Sequence, residues 1–240
     1  MKVYLIAVFL LFDTISVVAQ TQNIRMLQVK EIETTETTTI PTVSRLLEEH
    51  TELQRIDILN WDAFSYKPKV TFRIAYSDKQ IWLKYYVEEQ HILARNTETN
   101  SGVSRDSCVE FFFDPNGDGY YYNFEFNCIG TVHLAYGPGR KDRVFMDREG
   151  IEQQIVAKSS LGKQPFEEKS GFFRWEMTVI IPAAALTQNT GIQLKGLRSK
   201  ANFYKCGDDT QKPHYLSWNP VQTVSPDFHR PEFFGFLAFE

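Results

Sequence analysis

Apolar and polar residues alternate along the chain from Ile56 onward, and this period of two is typical of β-strands with one buried face. Turn-forming residues, chiefly Gly, Pro, Asn and Asp, separate the alternating stretches. The predicted strands cover residues 70–76, 81–87, 107–114, 120–128, 131–136, 153–158, 174–181 and 193–204. Strands at this spacing, without a long helix between them, predict an all-β fold. We expect an antiparallel β-sandwich of the immunoglobulin or jelly-roll type.

The chain before Ile56 has a different pattern. Residues 21–42 are polar and rich in Thr, which predicts a linker or an extended arm. Apolar residues then recur at helical spacing among charged ones, at Val43, Leu46 and Leu47. This spacing predicts a short amphipathic N-terminal helix over residues 43–53.

Residues 1–20 have the features of a secretory signal peptide. Lys2 supplies a positive charge, the apolar run at 3–12 is too short to span a bilayer, and small residues precede an expected cut near Ala19 or Gln20. A buried N-terminal strand is the alternative. A signal peptide predicts a protein exported to the periplasm or out of the cell, without an integral membrane span. The expected division is therefore signal peptide 1–20, linker and short helix 21–55, and one β-sandwich 56–240.

The charges are nearly balanced, because 26 Lys and Arg stand against 30 Asp and Glu, for a formal net charge of −4. Nucleic-acid-binding domains usually carry a basic surplus, so nucleic acid is not an expected partner. Aromatic residues make up 14% of the chain, and such enrichment favours strands over helices. A mean hydropathy of −0.33 excludes a polytopic membrane protein.

Neighbouring residues of a strand face opposite sides of its sheet, so the predicted strands can be sorted into two faces. One face is apolar and should form the core: Val109, Phe111, Phe113, Phe124, Phe126, Cys128, Leu197, Ala201 and Phe203. The other carries carboxylates, amides, cations and rings, among them Glu110, Glu125, Asn127, Arg198 and Asn202. Amides and carboxylates hydrogen-bond vicinal hydroxyls, and a flat ring covers the C–H face of a sugar. This face therefore predicts a polyol-binding surface, with an ordinary solvated sheet face as the alternative.

Short motifs along the sandwich resemble those of carbohydrate-binding module family 9. They are SCVEFFFD at 107–114, NFEFN at 123–127, RWE to IP at 174–182, ANFY at 201–204, LSWNP at 216–220 and PEFFGFL at 231–237. Their order is that of the family, and they cover the region 56–240. The resemblance is greatest to exported members that lack a catalytic domain. It implies a β-sandwich that binds sugars, often at the reducing end of a glycan, and that carries structural calcium.

The resemblance also implies individual ligand positions. It places sugar ligands at Glu110 and Asn127, whereas Glu125 stands where the family has Arg. Ser104 and Phe228 stand where the family has the two Trp rings that clamp the sugar, so the ring pair is incomplete. The candidates for a replacement ring are Tyr204, Tyr215 and Trp218.

One loop has the spacing of a calcium site. The segment DPNGDG at 114–119, followed by Glu125, fits the pattern D-x-N-x-D-G-x5-E of a helical calcium loop. Its metal ligands would include Asp114, Asn116 and Asp118. Both flanks are predicted strands rather than helices, so a hairpin turn is the competing prediction. The calcium ion that the resemblance implies does not require this loop.

The chain has three cysteines, Cys108, Cys128 and Cys206. In an oxidising compartment one pair can close, and all three pairings remain open; a fully reduced, buried set is the alternative. His and Cys do not occur at zinc-site spacing. Among the histidines, His214 and His229 lie in the aromatic C-terminal loops and are the two candidates for a site.

The sequence thus predicts a non-catalytic, exported carbohydrate-binding protein that supports glycan capture or breakdown, with a glycan-degrading or uptake complex as its partner. The predicted ligand shell is Glu110, Glu125, Asn127, Arg198, Asn202, Tyr204, Trp218 and Phe228. A glycoside hydrolase or lyase is the first alternative, since such enzymes use two carboxylates and Glu110 and Glu125 could serve as acid and base. A scaffold subunit with a decayed sugar site is the second, and Ser104 supports it.

Overall fold

The computed structural model describes residues 24–240. The predicted signal peptide at 1–20 and the first residues of the predicted linker lie outside this part of the chain. None of the helices within it is long and apolar enough to cross a membrane.

The described chain is built mainly of strands. In chain order its elements are β1 (Met26–Glu31), α1 (Ile40–His50), β2 (Gln54–Arg55), β3 (Ile58–Leu59), β4 (Lys69–Ser77), β5 (Gln80–Ala94), β6 (Cys108–Asp114), β7 (Tyr121–Asn127), β8 (Val132–Gly137), β9 (Val144–Phe145), α2 (Arg148–Gln154), β10 (Val156–Ser159), β11 (Phe166–Pro182), β12 (Arg198–Cys206), β13 (Tyr215–Ser217) and β14 (Gly235–Phe239). Single turns of 3₁₀ helix lie at Val103–Arg105, Ala183–Ala185 and Pro231–Phe233. The all-β prediction and the short N-terminal helix are confirmed.

Helix α2 occupies residues where the sequence predicts the start of a strand at 153. The Asp147 side chain caps this helix by accepting a hydrogen bond from the Gly150 amide at 2.8 Å. The strand that follows, β10, therefore begins only at Val156.

The strands form one curled sheet in the order β10-β11-β5-β4-β1-β14-β12-β6-β7-β8-β9. Strand β1 joins the two halves, because its first residues pair with β14 and its last two with β4. Both of these ladders are parallel, whereas we predicted a wholly antiparallel sheet. Residues 26–31 of the predicted linker or extended arm thus form an extended strand that is paired on both sides, and Val29 within it is fully buried.

The two halves of the sheet face each other across the main core. Phe72 of β4 stacks on Phe203 of β12 with ring centroids 3.9 Å apart. The predicted core face of β6, β7 and β12 is confirmed, since its apolar residues belong to this core or pack against it. Helix α1 covers the outer surface through Val43, Leu46 and Leu47.

The opposite face of β6 and β7 is covered rather than solvated. Every residue of both strands is buried. A second apolar cluster seals this face, where Trp61, Val103, Val221, Phe228 and Phe234 come from segments outside the central strands. These covering segments leave one polar cavity open above the strands.

Candidate functional site

The cavity has a volume of about 190 Å³ and lies between the face of β6 and β7 and the covering loops. Its lining residues are Ser101, Gly102, Ser104, Glu110, Glu125, His133, Arg140, Arg143, Cys206, Asp208, Tyr215, Pro226, Asp227, Phe228 and His229. Pockets for drug-sized ligands measure roughly 300–1,000 Å³. The cavity is smaller than this range, so its volume suits one small, polar, ring-shaped ligand rather than several linked units.

Strand register places four polar side chains in a row beneath this cavity. Glu110 on β6 lies opposite Tyr204 on β12 and opposite Glu125 on β7. Glu125 in turn lies opposite His133 on β8. Directly opposite residues of an antiparallel pair have Cβ atoms about 4.5–5.5 Å apart. The fold thus assembles the row from four strands.

Burial controls the protonation of Glu110, which is 3% exposed. Burial, followed by the neighbouring charge of Glu125, raises the pKa of Glu110 well above its usual value. The Cys206 thiol donates to Glu110 Oε1 at 3.0 Å, and Asn123 Nδ2 donates to Glu125 Oε1 at 2.6 Å. A neutral Glu110 can donate as well as accept a hydrogen bond, which suits a hydroxyl ligand.

A further acid lies at the β12 side of the cavity. Asp208 follows β12, and its amide donates to Ser104 O at 3.1 Å, which ties two of the lining loops together. Burial and the charge of Glu125 raise the pKa of Asp208 to about 6. This carboxyl is therefore mostly ionised at neutral pH.

The cations come from the loop between β8 and β9. Arg140 pairs with Asp227, with Nη2 and Oδ1 3.5 Å apart. Arg143 Nη1 lies 3.0 Å from His229 Nε2. Burial, followed by the charge of Arg143, lowers the pKa of His229 to about 2. His229 therefore stays neutral, and its Nδ1 shares a hydrogen bond of 2.8 Å with the Tyr121 hydroxyl.

Aromatic rings form one wall. Phe228 lies flat on Tyr204 with centroids 4.0 Å apart and an interplanar angle of 12°. Tyr215 meets Phe228 edge-on at 6.1 Å, and Trp61 packs against both. Ser104 lines the cavity as well, and it supplies no ring to this wall.

Half of the predicted ligand shell is at this site. Glu110, Glu125 and Phe228 line the cavity, and Tyr204 lies directly beneath Phe228. Of the two candidate histidines, His229 lines the cavity, whereas His214 is buried elsewhere beside Lys205, 2.8 Å from its Nζ.

The two predicted amide ligands hold the loops instead of lining the cavity. Asn127 Nδ2 donates to Asn96 O at 2.7 Å and to Asp106 Oδ2 at 2.8 Å. Asn202 exchanges two hydrogen bonds with the Asn219 backbone, at 2.8 and 3.0 Å. Both side chains are fully buried, so loop anchoring uses the groups that we expected to meet a sugar.

Arg198 and Trp218 lie away from the cavity. Arg198 is exposed and stands six residues before Tyr204, which is roughly 20 Å along β12. Trp218 packs edge-on against Phe203, 5.7 Å away, in the core between the sheet halves. Neither can contact a ligand in the cavity.

Five residues of the cavity were not predicted from the sequence: Arg140, Arg143, Asp208, Asp227 and His133. His133 could have been found by sorting β8 into faces, because it lies opposite Glu125. The other four lie in loops, where neither strand period nor spacing indicates which way a side chain points.

The loop at 114–119 is a hairpin turn, as the competing prediction had it. Asp114 is fully buried and accepts from the Gly117 amide at 2.7 Å and the Gly119 amide at 2.9 Å. Asp118 Oδ1 accepts from the Tyr120 amide at 2.9 Å, and Asn116 Nδ2 lies 3.3 Å from the other oxygen of Asp118. Both oxygens of Asp114 are thus occupied by backbone amides, and Glu125 points into the cavity instead. These residues do not fit a calcium loop in this arrangement, so the calcium ion stays a prediction without an assigned site.

Two of the three thiols are neighbours, and one of them, Cys206, lines the cavity. Cys108 and Cys206 lie directly opposite each other on β6 and β12. Their sulfurs and a Glu110 oxygen all lie within 4.8 Å of one another. The Cys128 thiol contacts Leu93 O at 3.5 Å and belongs to the main core, on the other side of the sheet.

Comparison with known proteins identifies a family. The model of carbohydrate-binding family 9 matches residues 41–239. No curated protein matches the chain in sequence.

Solved structures agree with this match. A presumed carbohydrate-binding protein from Bacteroides uniformis ATCC 8492 is 41% identical, with a TM-score of 0.86 over 90% of this chain and 99% of that chain. A family 9 module from Caldicellulosiruptor kristjanssonii in complex with cellotriose is 12% identical, with a TM-score of 0.58 over 90% of this chain and 94% of that one. The same kind of module in complex with glucose is 13% identical, with a TM-score of 0.57 over 90% and 96% of the two chains. At such low identity the two complexes show a shared fold.

Proposed function

Because this chain belongs to carbohydrate-binding family 9, we propose that it is a non-catalytic sugar-binding protein whose ligand occupies the cavity above β6 and β7. One observation carries the proposal. The paired carboxyls of Glu110 and Glu125 line the same small cavity as the rings of Phe228 and Tyr215. Carboxyls that accept and donate to hydroxyls, beside rings that cover C–H groups, meet both sides of a sugar. The Bacteroides relative and the two sugar-bound modules support this assignment.

The revised ligand shell differs from the one predicted from sequence. Glu110, Glu125 and Asp208 would hold hydroxyls, and Phe228 with Tyr215 would cover the C–H face. Tyr204 supports the Phe228 ring from below through its flat stacking contact. Because Ser104 carries no ring, polar groups would contact the sugar on the Ser104 side of the cavity.

Geometry argues against glycoside hydrolysis. Glycosidases place their two carboxyls on either side of the scissile bond, about 5–9.5 Å apart. Glu110 and Glu125 lie side by side on neighbouring strands and therefore form one wall of the cavity. A bond lying above them would meet both carboxyls from the same side.

We also propose that the protein is exported and acts beside glycan-degrading or uptake proteins. The signal-peptide pattern of residues 1–20 supports export. A binding protein without catalytic groups needs a partner that consumes the captured glycan.

Calorimetric titration with mono- and oligosaccharides, including glucose and cellotriose, tests the function. We expect affinities in the micromolar to millimolar range and no release of reducing ends. Glu110→Ala and Phe228→Ala should each weaken binding about tenfold or more, since each removes a direct contact. Glu52→Ala removes an exposed carboxyl that does not line the cavity and is the matched control. Unchanged affinity in both cavity variants would overturn the proposal, and turnover would assign acid and base roles to Glu110 and Glu125.

A further inference from the structure

The cavity is electrically polarised across the strands. Its cations, Arg140 and Arg143, come from the loop between β8 and β9. Of its acids, Asp227 pairs with Arg140, Glu110 and Asp208 belong to the β6 and β12 side, and Glu125 lies between. A ligand in this cavity therefore meets a cationic end and an acidic end.

Arg143 has no carboxylate partner within the described part of the chain. Its Nη1 contacts only neutral acceptors, Asn123 Oδ1 at 3.1 Å and His229 Nε2 at 3.0 Å. Arg140, by contrast, is paired with Asp227 at 3.5 Å. Guanidinium groups bind carboxylates through two parallel hydrogen bonds, which neutral acceptors do not supply. The fork of Arg143 is therefore free to hold an anionic group of a ligand.

His133 is the second polar side chain at this end that lacks a suitable partner in the described chain. The side chain is 4% exposed and lines the cavity, and neither ring nitrogen has a hydrogen-bond partner among residues 24–240. Buried polar groups in native proteins nearly always have a partner. His133 and Arg143 both pack against the Phe145 ring, at 5.0 and 5.8 Å from its centroid. A ligand oxygen at the cationic end can therefore meet both residues together.

We propose that the cavity selects a sugar that carries a carboxylate, such as a hexuronate, and binds it with the carboxylate toward Arg143 and His133. This inference rests on the proposed sugar-binding function. The ring hydroxyls then point toward Glu110, Glu125 and Asp208. A neutral sugar of the same shape leaves both Arg143 and His133 without the partner that the carboxylate provides.

The acids at the other end fix the orientation. Burial and then the charge of Glu125 raise the pKa of Glu110, which favours the neutral form and so reduces its repulsion of an anionic ligand. Asp208 remains mostly ionised at neutral pH and would repel a carboxylate placed beside it. Only the orientation with the carboxylate toward β8 and β9 places opposite charges together.

Titration of the full protein with matched sugar pairs tests the inference. The pairs are glucose with glucuronate and galactose with galacturonate, at pH 7 and physiological salt. We expect at least one uronate to bind about tenfold tighter than its neutral partner, since one charge-assisted contact is worth roughly that factor. Arg143→Gln and His133→Phe should each bring the ratio of the two dissociation constants toward one.

Lys141→Gln is the matched control, because Lys141 is an exposed cation of the same loop that does not line the cavity. This variant should keep the wild-type ratio. If Lys141→Gln lowered the ratio as much as Arg143→Gln, the preference would come from the net charge of the loop and the assignment to Arg143 would be wrong. Thermal unfolding of each variant shows whether it is folded, and the wild-type ratio tests the inference without any variant.

The two proposals fail in different ways. Equal or tighter binding of the neutral sugars would overturn the preference for acidic sugars and leave the sugar-binding function standing. Absence of binding to every sugar tested, neutral and acidic, would overturn both.

Discussion

Glu110 and Glu125 lie opposite each other on β6 and β7, and Glu110 is buried there with 3% of its surface exposed. The pKa of Glu110 is raised above its usual value near 4.5 by burial and then by the charge of Glu125. Its ionised form is therefore disfavoured in the folded state and not in the unfolded chain. The same arrangement that lets Glu110 donate to a ligand costs stability as the pH rises above about 4.5.

Replacement of Glu110 by Gln should flatten the pH dependence of stability. In the wild type the free energy of unfolding falls as the pH rises from about 4.5 toward the raised pKa, because the unfolded state releases a proton that the folded state keeps. Glu110→Gln removes this term, so the variant should lose less stability between pH 5 and pH 8. Urea unfolding at the two pH values measures the difference. Exposed Glu52→Gln is the control, and equal pH profiles for wild type and Glu110→Gln would contradict a protonated Glu110.

The buried ion pair of Lys205 and Glu89 should be costly to break. Lys205 Nζ and Glu89 Oε2 are 3.0 Å apart, and both side chains are fully buried. Lys205→Met leaves the Glu89 charge with only the Trp175 indole as a partner, and we expect a loss of about 3 kcal/mol or more. The double variant Lys205→Met with Glu89→Gln should recover part of it, because no unpaired charge remains.

Chemical denaturation measures these changes, and an exposed pair supplies the control. Lys195 pairs with Glu31 at 2.7 Å, but the lysine side chain is 72% exposed. Lys195→Met should therefore leave the unfolding midpoint close to that of the wild type. If Lys195→Met and Lys205→Met lowered the stability equally, burial would not be the reason why breaking the Lys205–Glu89 pair is costly.

The hairpin turn at 114–119 should depend on Asp114 and not on calcium. The Asp114 carboxylate accepts three backbone amides of the turn, from Gly117, Asp118 and Gly119. Asp114→Ala leaves these amides without their acceptor and should lower the free energy of unfolding by about 1–3 kcal/mol. The loss should be the same with calcium and with a chelator. A calcium-dependent loss, shared by Asp118→Ala, would instead show that the loop binds the ion.

Oxidation should link Cys108 to Cys206 and leave Cys128 free. Directly opposite residues of antiparallel strands have Cα atoms about 4.5–5.5 Å apart, which lies within the range that disulfides span. Diamide takes up the two electrons and two protons that the thiols release. Peptide mapping by mass spectrometry should find this single link in the wild type and in Cys128→Ser, and none in Cys206→Ser. A link that includes Cys128 would contradict the register.

Strand period predicted the core well because burial itself produces the pattern. The apolar faces of β6, β7 and β12 were assigned from alternation alone, and the structure packs them into the main core. Strand β1 lies between two pairing partners but gave no such signal. Its sequence is mostly polar, and Val29 is its single buried residue. Helix α2 is short, and only Ile151 within it is buried, which gives little periodicity to read.

The site was predicted only in part for a related reason. Glu110 and Glu125 belong to strands, so their shared face follows from parity and pairing. Arg143 and Asp208 reach the cavity from loops, and they contact residues far away in sequence, His229 and Ser104 respectively. Asn127 and Asn202 were predicted as ligand residues but are not. Each lies on the correct face of its strand, but its side chain hydrogen-bonds a loop instead of lining the cavity.

The position of β1 bears on when the chain can fold. Met26 pairs with Phe236, which emerges from the ribosome about 210 residues later. Until then β1 lacks its parallel neighbour β14, and the ladder that joins the two halves of the sheet cannot form. Contacts this distant in sequence form slowly. The complete sheet should therefore close only when nearly all of the chain has been synthesised, which is compatible with the export that we propose.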